Sequence, residues 1–134
     1  MTEREPESFS MPASLNLLWL QSAGCGGCSM SLLCSDARDL HASLDAVGVH
    51  VLWHPSLSEE SGDEAKRILE RCASGEIVVD ALCVEGALLR GPRGTGRFHL
   101  HAGTGIAMTE WVKKLAGVAR YTLAVGSCAA WGGV

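Results

Sequence analysis

Apolar and polar positions alternate in blocks along the chain, and four short apolar runs stand out at residues 15–20, 49–53, 77–84 and 121–125. Each is brief, bounded by polar or glycine residues, and reads as a buried strand. Between the runs the spacing changes to a helical period. Over residues 61–72, Ala65, Ile68, Leu69 and Cys72 share one face, and Ser61 with Glu64 forms a capping box. A second helix is expected after Cys28, with Leu33, Ala37, Leu40, Leu44 and Val47 as its apolar stripe and Gly48 as its C′ residue. A third starts near Ile106, turning Met108, Trp111, Val112 and Leu115 inward and Lys113 and Lys114 outward.

The resulting order, β-α-β-α-β-loop-α-β, predicts an α/β, doubly wound parallel sheet, because parallel neighbours need right-handed crossovers that lay helices on both faces. With a strand order of 2-1-3-4, the third strand lies between the first and the fourth. Ligands of such sheets collect beyond the carboxyl ends of the strands. There the sequence carries Gln21-Ser-Ala-Gly-Cys25-Gly-Gly-Cys28, Glu85-Gly86 and Gly126-Ser-Cys128. Three thiols and one carboxylate are thus expected on one edge.

A length of 134 residues suits one domain, read as residues 15–134 behind a polar tail at residues 1–14. The net charge of -4 gives no basic footprint for nucleic acid. No signal-peptide pattern or twin-Arg pair opens the sequence, and no apolar stretch reaches the roughly 20 residues of a membrane span. The expected location is cytoplasmic. Six cysteines are too few for a secreted disulfide scaffold of this length, which turns attention to metal binding or catalysis.

Cys25-Gly-Gly-Cys28 at a strand-to-helix turn is a chelating pair, since a helix start favours thiolate and the glycines let backbone N–H groups turn toward sulfur. Alone it is ambiguous among a redox dithiol, a zinc site and an iron–sulfur site. Cys128 shifts the balance toward a soft-metal or cluster site, because a thioredoxin-type dithiol needs no third thiol. Glu85, ending an apolar run, either tunes such a site or relays protons, or is an edge carboxylate satisfied by backbone N–H groups. Cys34, Cys72 and Cys83 read as core residues, and His54, His99 and His101 as solvated or hydrogen-bonded. Residues 86–105 form a long Gly-rich loop carrying Arg90, Arg93 and Arg97 and no acidic residue. The loop lacks the Lys-Ser/Thr of a phosphate-binding loop, and the Cys25 turn lacks the last glycine of a dinucleotide fingerprint, so docking against a partner chain, with order gained on docking, is the expected role.

Taken together, Gln21-Ser-Ala-Gly-Cys-Gly-Gly-Cys-Ser-Met-Ser-Leu-Leu33, Cys83-Val-Glu-Gly-Ala87 and Ala124-Val-Gly-Ser-Cys-Ala-Ala-Trp-Gly-Gly133 resemble the small subunit of [NiFe]-hydrogenases, over nearly all of residues 16–134. Trp53-His-Pro-Ser-Leu57 and Gly91-Pro-Arg-Gly-Thr-Gly-Arg-Phe98 look most like the cytosolic hydrogen-sensing and uptake branch. The resemblance implies a flavodoxin-like domain in which Cys25, Cys28 and Cys128 are three of four ligands of a proximal [4Fe–4S] cluster, with Glu85 beside it. It also implies a heterodimer with a large subunit holding the Ni–Fe site, the small subunit conducting electrons in H2 oxidation or sensing. Gly27 stands where oxygen-tolerant members carry a supernumerary cysteine, so an unmodified cubane is expected.

The sequence departs from the pattern at Val134, six residues past Cys128, so the fourth proximal ligand and the carboxyl-terminal part of the sheet are expected to be missing from it. A labile or three-iron cluster, or recruitment of Cys34 or Cys83, are the ways to complete such a site. Two rival readings follow. One is a non-conducting module that docks on a large subunit, and the other is a stand-alone C-x-x-C thiol oxidoreductase.

Overall fold

The computed structural model describes residues 14–35 and 39–133. The expected amino-terminal tail, apart from Ser14, therefore lies outside the described residues, as do Ala37 and Val134. The elements run β1 (Leu15–Gln21), α1 (Gly27–Leu33), α2 (Leu40–Ala46), β2 (Val49–Trp53), α3 (Gly62–Ala73), β3 (Ala81–Glu85), α4 (Met108–Val118), β4 (Tyr121–Val125) and α5 (Gly126–Trp131). All four strands join one parallel sheet in the order β2-β1-β3-β4: the parallel sheet is as expected from the order of elements, and its strand order is the one under which β3 lies between β1 and β4. No helix among the described residues is long and apolar enough to cross a membrane.

Strand alternation separates the two faces of this sheet. Leu18 and Leu20 of β1 and Leu82 and Val84 of β3 point to one side, where Leu69 and Cys72 of α3 and Met108, Trp111, Val112 and Leu115 of α4 close over them as one apolar cluster. These are the faces that the helical periods of α3 and α4 predict. On the other side Trp19, Cys83 and Glu85 are buried, and Glu85 meets α1. Right-handed crossovers dictate this division, because the chain moves one way from β1 to β2 and the other way from β2 to β3 and β4.

Four details correct the sequence reading. The stripe after Cys28 is two short helices, and α2 buries none of its described residues. Ser61 is the N-cap of α3, but its side chain makes no capping bond: the chain enters through a left-handed Gly62, at φ 55°, and Ser61 offers its carbonyl oxygen to the Glu64 N–H instead. The third strand begins at Ala81 rather than 77, because Asn16 N–H donates to the Asp80 carboxylate at 2.8 Å and Asn16 Nδ2 to the Val78 carbonyl at 2.9 Å. Asp80 N–H also bonds to the Asn16 carbonyl at 3.0 Å, so backbone pairing with β1 starts beside that pair. Finally, Gln21 and Glu85 lie within β1 and β3, in register with each other, rather than in the loops that follow.

Candidate functional site at the carboxyl edge of the sheet

The turns after β1 and β3 approach each other closely, joined by an antiparallel bridge between Ala23 and Ala87. Gly86, at φ 90°, allows this, since a Cβ there would lie 2.9 Å from the Ala23 backbone. Beneath that bridge Glu85 is 3% exposed. Its Oε2 accepts from Trp19 Nε1 at 3.0 Å, from Gln21 Nε2 at 3.1 Å and from Ser29 Oγ, while Oε1 accepts from the Ser29 N–H at 3.1 Å. Burial works to raise its pKa, but the donors from Ser29, Trp19 and Gln21 outweigh that and hold it below the usual glutamate value. Only one donor is a backbone N–H, so side chains more than backbone satisfy Glu85, and through Ser29 it ties α1 to the sheet.

His54 belongs to the same cluster, a placement that no spacing in the sequence announces. It is 3% exposed, stacks at 4.9 Å from the Trp19 ring, and lies with Nε2 3.2 Å from Ser29 Oγ. Burial holds its pKa below the ordinary imidazole value, against the pull of Glu85. His99 and His101 stay apart from it. His99 approaches Ser22 Oγ at 3.4 Å, and His101 packs on Trp111 with a buried Nδ1 that has no hydrogen-bond partner, contrary to the expected solvated or bonded state.

Cys25 and Cys28 flank the start of α1, and Cys128 lies in the first turn of α5, so all three stand where the strands end. None is in a disulfide. The Gly27 N–H donates to Cys25 Sγ at 3.4 Å, the contact the glycine pair was expected to permit. A Cβ on Gly126 would overlap Cys28 Sγ, and Gly126 itself has φ 81°, so the turn after β4 forms a glycine cradle for that sulfur. Cys28 and Trp19 line a cavity of about 550 Å³ between α1 and the sheet, whereas Cys128 lines a separate groove with Arg90, Lys113 and Trp131. Among the described residues no three His, Cys, Asp or Glu side chains converge tightly enough for a single metal ion. Of the other cysteines, Cys72 and Cys83 are buried, with their thiols pushed up to about 11 by burial, and Cys83 is thereby a poor thiolate donor. Cys34 was expected in the core but is exposed, because it caps the end of α1, a helix that buries only Ser29.

Residues 25–134 match the family described as NADH ubiquinone oxidoreductase, 20 Kd subunit. The chain belongs to this family. Relatives of this chain include the F420 non-reducing hydrogenase II small subunit of Methanosarcina mazei, 29% identical over 91% of this chain and 34% of that protein. The quinone-reactive Ni/Fe-hydrogenase small chain of Wolinella succinogenes is 31% identical over 90% of this chain and 33% of its own length. Among solved structures, the actinobacterial-type NiFe-hydrogenase of Ralstonia eutropha H16 superposes with a TM-score of 0.73 at 29% identity, covering 91% of this chain and 39% of the other. The chain thus spans about a third of the length of the curated relatives it matches. The resemblance to hydrogenase small subunits is borne out, and so is the α/β fold. Placement in the hydrogen-sensing branch rests on the sequence motifs alone.

An iron–sulfur cluster fits the donor chemistry of this edge. Thiolates are the ligands such clusters take, and a four-iron cubane keeps its ligand sulfurs farther apart than a single ion does. The glycine cradle at Cys28 and the N–H contact at Cys25 are the close backbone approaches that sulfur ligation uses.

Proposed function

We propose that this chain is the electron-transfer part of a hydrogenase small subunit, with Cys25, Cys28 and Cys128 as ligands of a proximal [4Fe–4S] cluster and Glu85 beside it. The observation that carries the reading is the contact of Cys28 Sγ with Gly126, two residues before Cys128, which brings the first and last cysteine turns together at one sheet edge. When bound, the cluster supplies one-electron transfer to and from a Ni–Fe site in a partner large subunit. The residues of the chain hold and screen it: Ser29, Trp19 and Gln21 keep Glu85 ionised and fixed, and Gly27 brings no extra thiol beside Cys28.

Residues 86–105 supply the docking face for the large subunit in this reading. They carry three arginines and no acid, and Phe98 is 70% exposed. Within the loop Gly96 N–H bonds to the Arg90 carbonyl and Phe98 N–H to the Gly91 carbonyl, each at 2.9 Å. The motifs at 53–57 and 91–98 support a cytosolic hydrogen-sensing or uptake role.

Anaerobic reconstitution with iron and sulfide tests the assignment. Cys28→Ser is expected to lose the visible thiolate-to-iron absorption, while Cys72→Ser keeps it. Equal loss in both variants overturns the ligand set, and a chain that reduces disulfides without binding iron belongs to the thiol-oxidoreductase reading instead.

A further inference from the structure

Ser29 stands at the centre of a buried hydrogen-bond chain whose direction can be worked out from its ends. At one end, the Ser56 N–H donates to His54 Nδ1 at 3.0 Å. An amide N–H cannot accept, so Nδ1 carries no proton, and the ring is the neutral tautomer with its proton on Nε2. Nε2–H then donates to Ser29 Oγ at 3.2 Å. At the other end, Glu85 accepts, so the Ser29 hydroxyl proton points to Oε2. Gln21 Nε2, at 3.2 Å, supplies the remaining donor to Ser29 Oγ. One proton and two lone pairs are all that a serine hydroxyl has, and all three are used.

The tautomer matters because the alternative would compete. With its proton on Nδ1, the ring would present a bare Nε2 to Ser29 and draw the hydroxyl proton away from Glu85. The Ser56 amide prevents this. Glu85 therefore holds Ser29 with both oxygens, one on the hydroxyl and one on the backbone N–H, and Ser29 directly follows Cys28 in the first turn of α1.

We propose that His54 is a positioning residue: locked in its Nε2–H form by Ser56, it directs the Ser29 hydroxyl onto Glu85, and the two-point clamp of Glu85 on Ser29 fixes the turn that presents Cys28. The importance given to Cys28 rests on the proposed cluster site, but the clamp is a property of the iron-free chain.

The test uses that iron-free chain. Alkylation of Cys28 by iodoacetamide is followed by peptide mass spectrometry, with exposed Cys34 as the internal reference. His54→Gln keeps an N–H where Nε2 lies, whereas His54→Asn places its amide where Nδ1 lies. Cys28 in His54→Gln is expected to react at the parent rate. In His54→Asn and Ser29→Ala it is expected to react roughly two- to tenfold faster relative to Cys34, the factor for losing one net hydrogen bond that holds a local structure closed. Equal acceleration in both His54 variants would mean that His54 only fills space, and no acceleration in Ser29→Ala would mean that the clamp does not hold the turn. Either result overturns the proposal. Should a variant fail to fold, ¹⁵N chemical shifts of the His54 ring in the parent chain decide alone, since the Nδ1–H tautomer or an imidazolium at neutral pH contradicts the proposed lock. Because no iron is present, these rates remain readable if cluster binding fails, and the two readings fail separately.

Discussion

The two faces of the sheet are built on different principles. The face under α3 and α4 is closed by apolar side chains, with Leu18, Leu69, Leu82 and Leu115 at or below 1% exposure. The face under α1 buries a carboxylate, an imidazole, a hydroxyl and an indole N–H, tied together by hydrogen bonds. Farther along that second face the cover is thin: Leu123, in register with Cys83, is 50% exposed, and Val47 beside α2 is 73% exposed. Apolar packing and polar tethering are thus divided between the faces. Apolar burial is non-directional and tolerates small shifts, whereas a buried polar cluster holds its members only in one geometry.

Mutation can sharpen that contrast. The largest effect is expected on the apolar face, where Leu82→Ala should lower unfolding stability by about 3 kcal/mol through lost burial and a residual cavity. Urea denaturation measures it, and a loss below about 1 kcal/mol would erase the distinction between the faces.

Acid should strike the polar face first. The folded chain holds His54 below its ordinary pKa, so below about pH 6.5 the unfolded chain takes up a proton that the fold resists, and stability falls with pH. Glu85, also held low, adds a further loss as pH drops below the ordinary carboxylate value toward its own lowered one. His101, lowered by burial, contributes in the same direction as His54. The urea midpoint should therefore fall between pH 7 and pH 5.5, and His54→Gln should flatten part of that slope. A His54→Gln chain with an unchanged slope would assign the pH dependence to other groups.

The smallest change in stability is expected where the second face is open. Leu123→Lys should alter unfolding free energy by no more than about 0.5 kcal/mol, because half of that side chain already meets water. It should nevertheless reduce self-association. The β4 edge of Tyr-Thr-Leu-Ala-Val carries neither charge nor proline to discourage further pairing, and a single lysine supplies the missing charge. Sedimentation of the parent chain and the variant side by side checks both halves.

Much of the apolar face was legible in the sequence. The periods of Ala65, Leu69 and Cys72 and of Met108, Trp111, Val112 and Leu115 are long enough for burial to impose a helical pattern, and the structure buries those side chains. The stripe through Leu40, Leu44 and Val47 misled because periodicity reports which face a helix could bury, whereas actual burial needs something opposite. Cys34 failed for the same reason. In the candidate site, Cys25, Cys28, Glu85 and Cys128 were readable from residue type and their place at strand ends. His54 and Ser29 were not: one follows β2 and the other follows Cys28, and 25 positions separate them.

The sequence by itself determined the parallel α/β class, the helix faces of α3 and α4 and the placing of three thiols and a carboxylate at strand ends, because crossover handedness and side-chain period are local rules that leave few topologies open. Only the tertiary structure decided which buried polar groups meet. Whether Glu85 stands alone or is held by Trp19, Gln21 and Ser29, and whether His54 Nε2 meets Ser29, depends on placements to within a fraction of an ångström between segments far apart in the chain. Hydrogen bonds are that short-ranged and directional, and no spacing in a one-dimensional pattern encodes them.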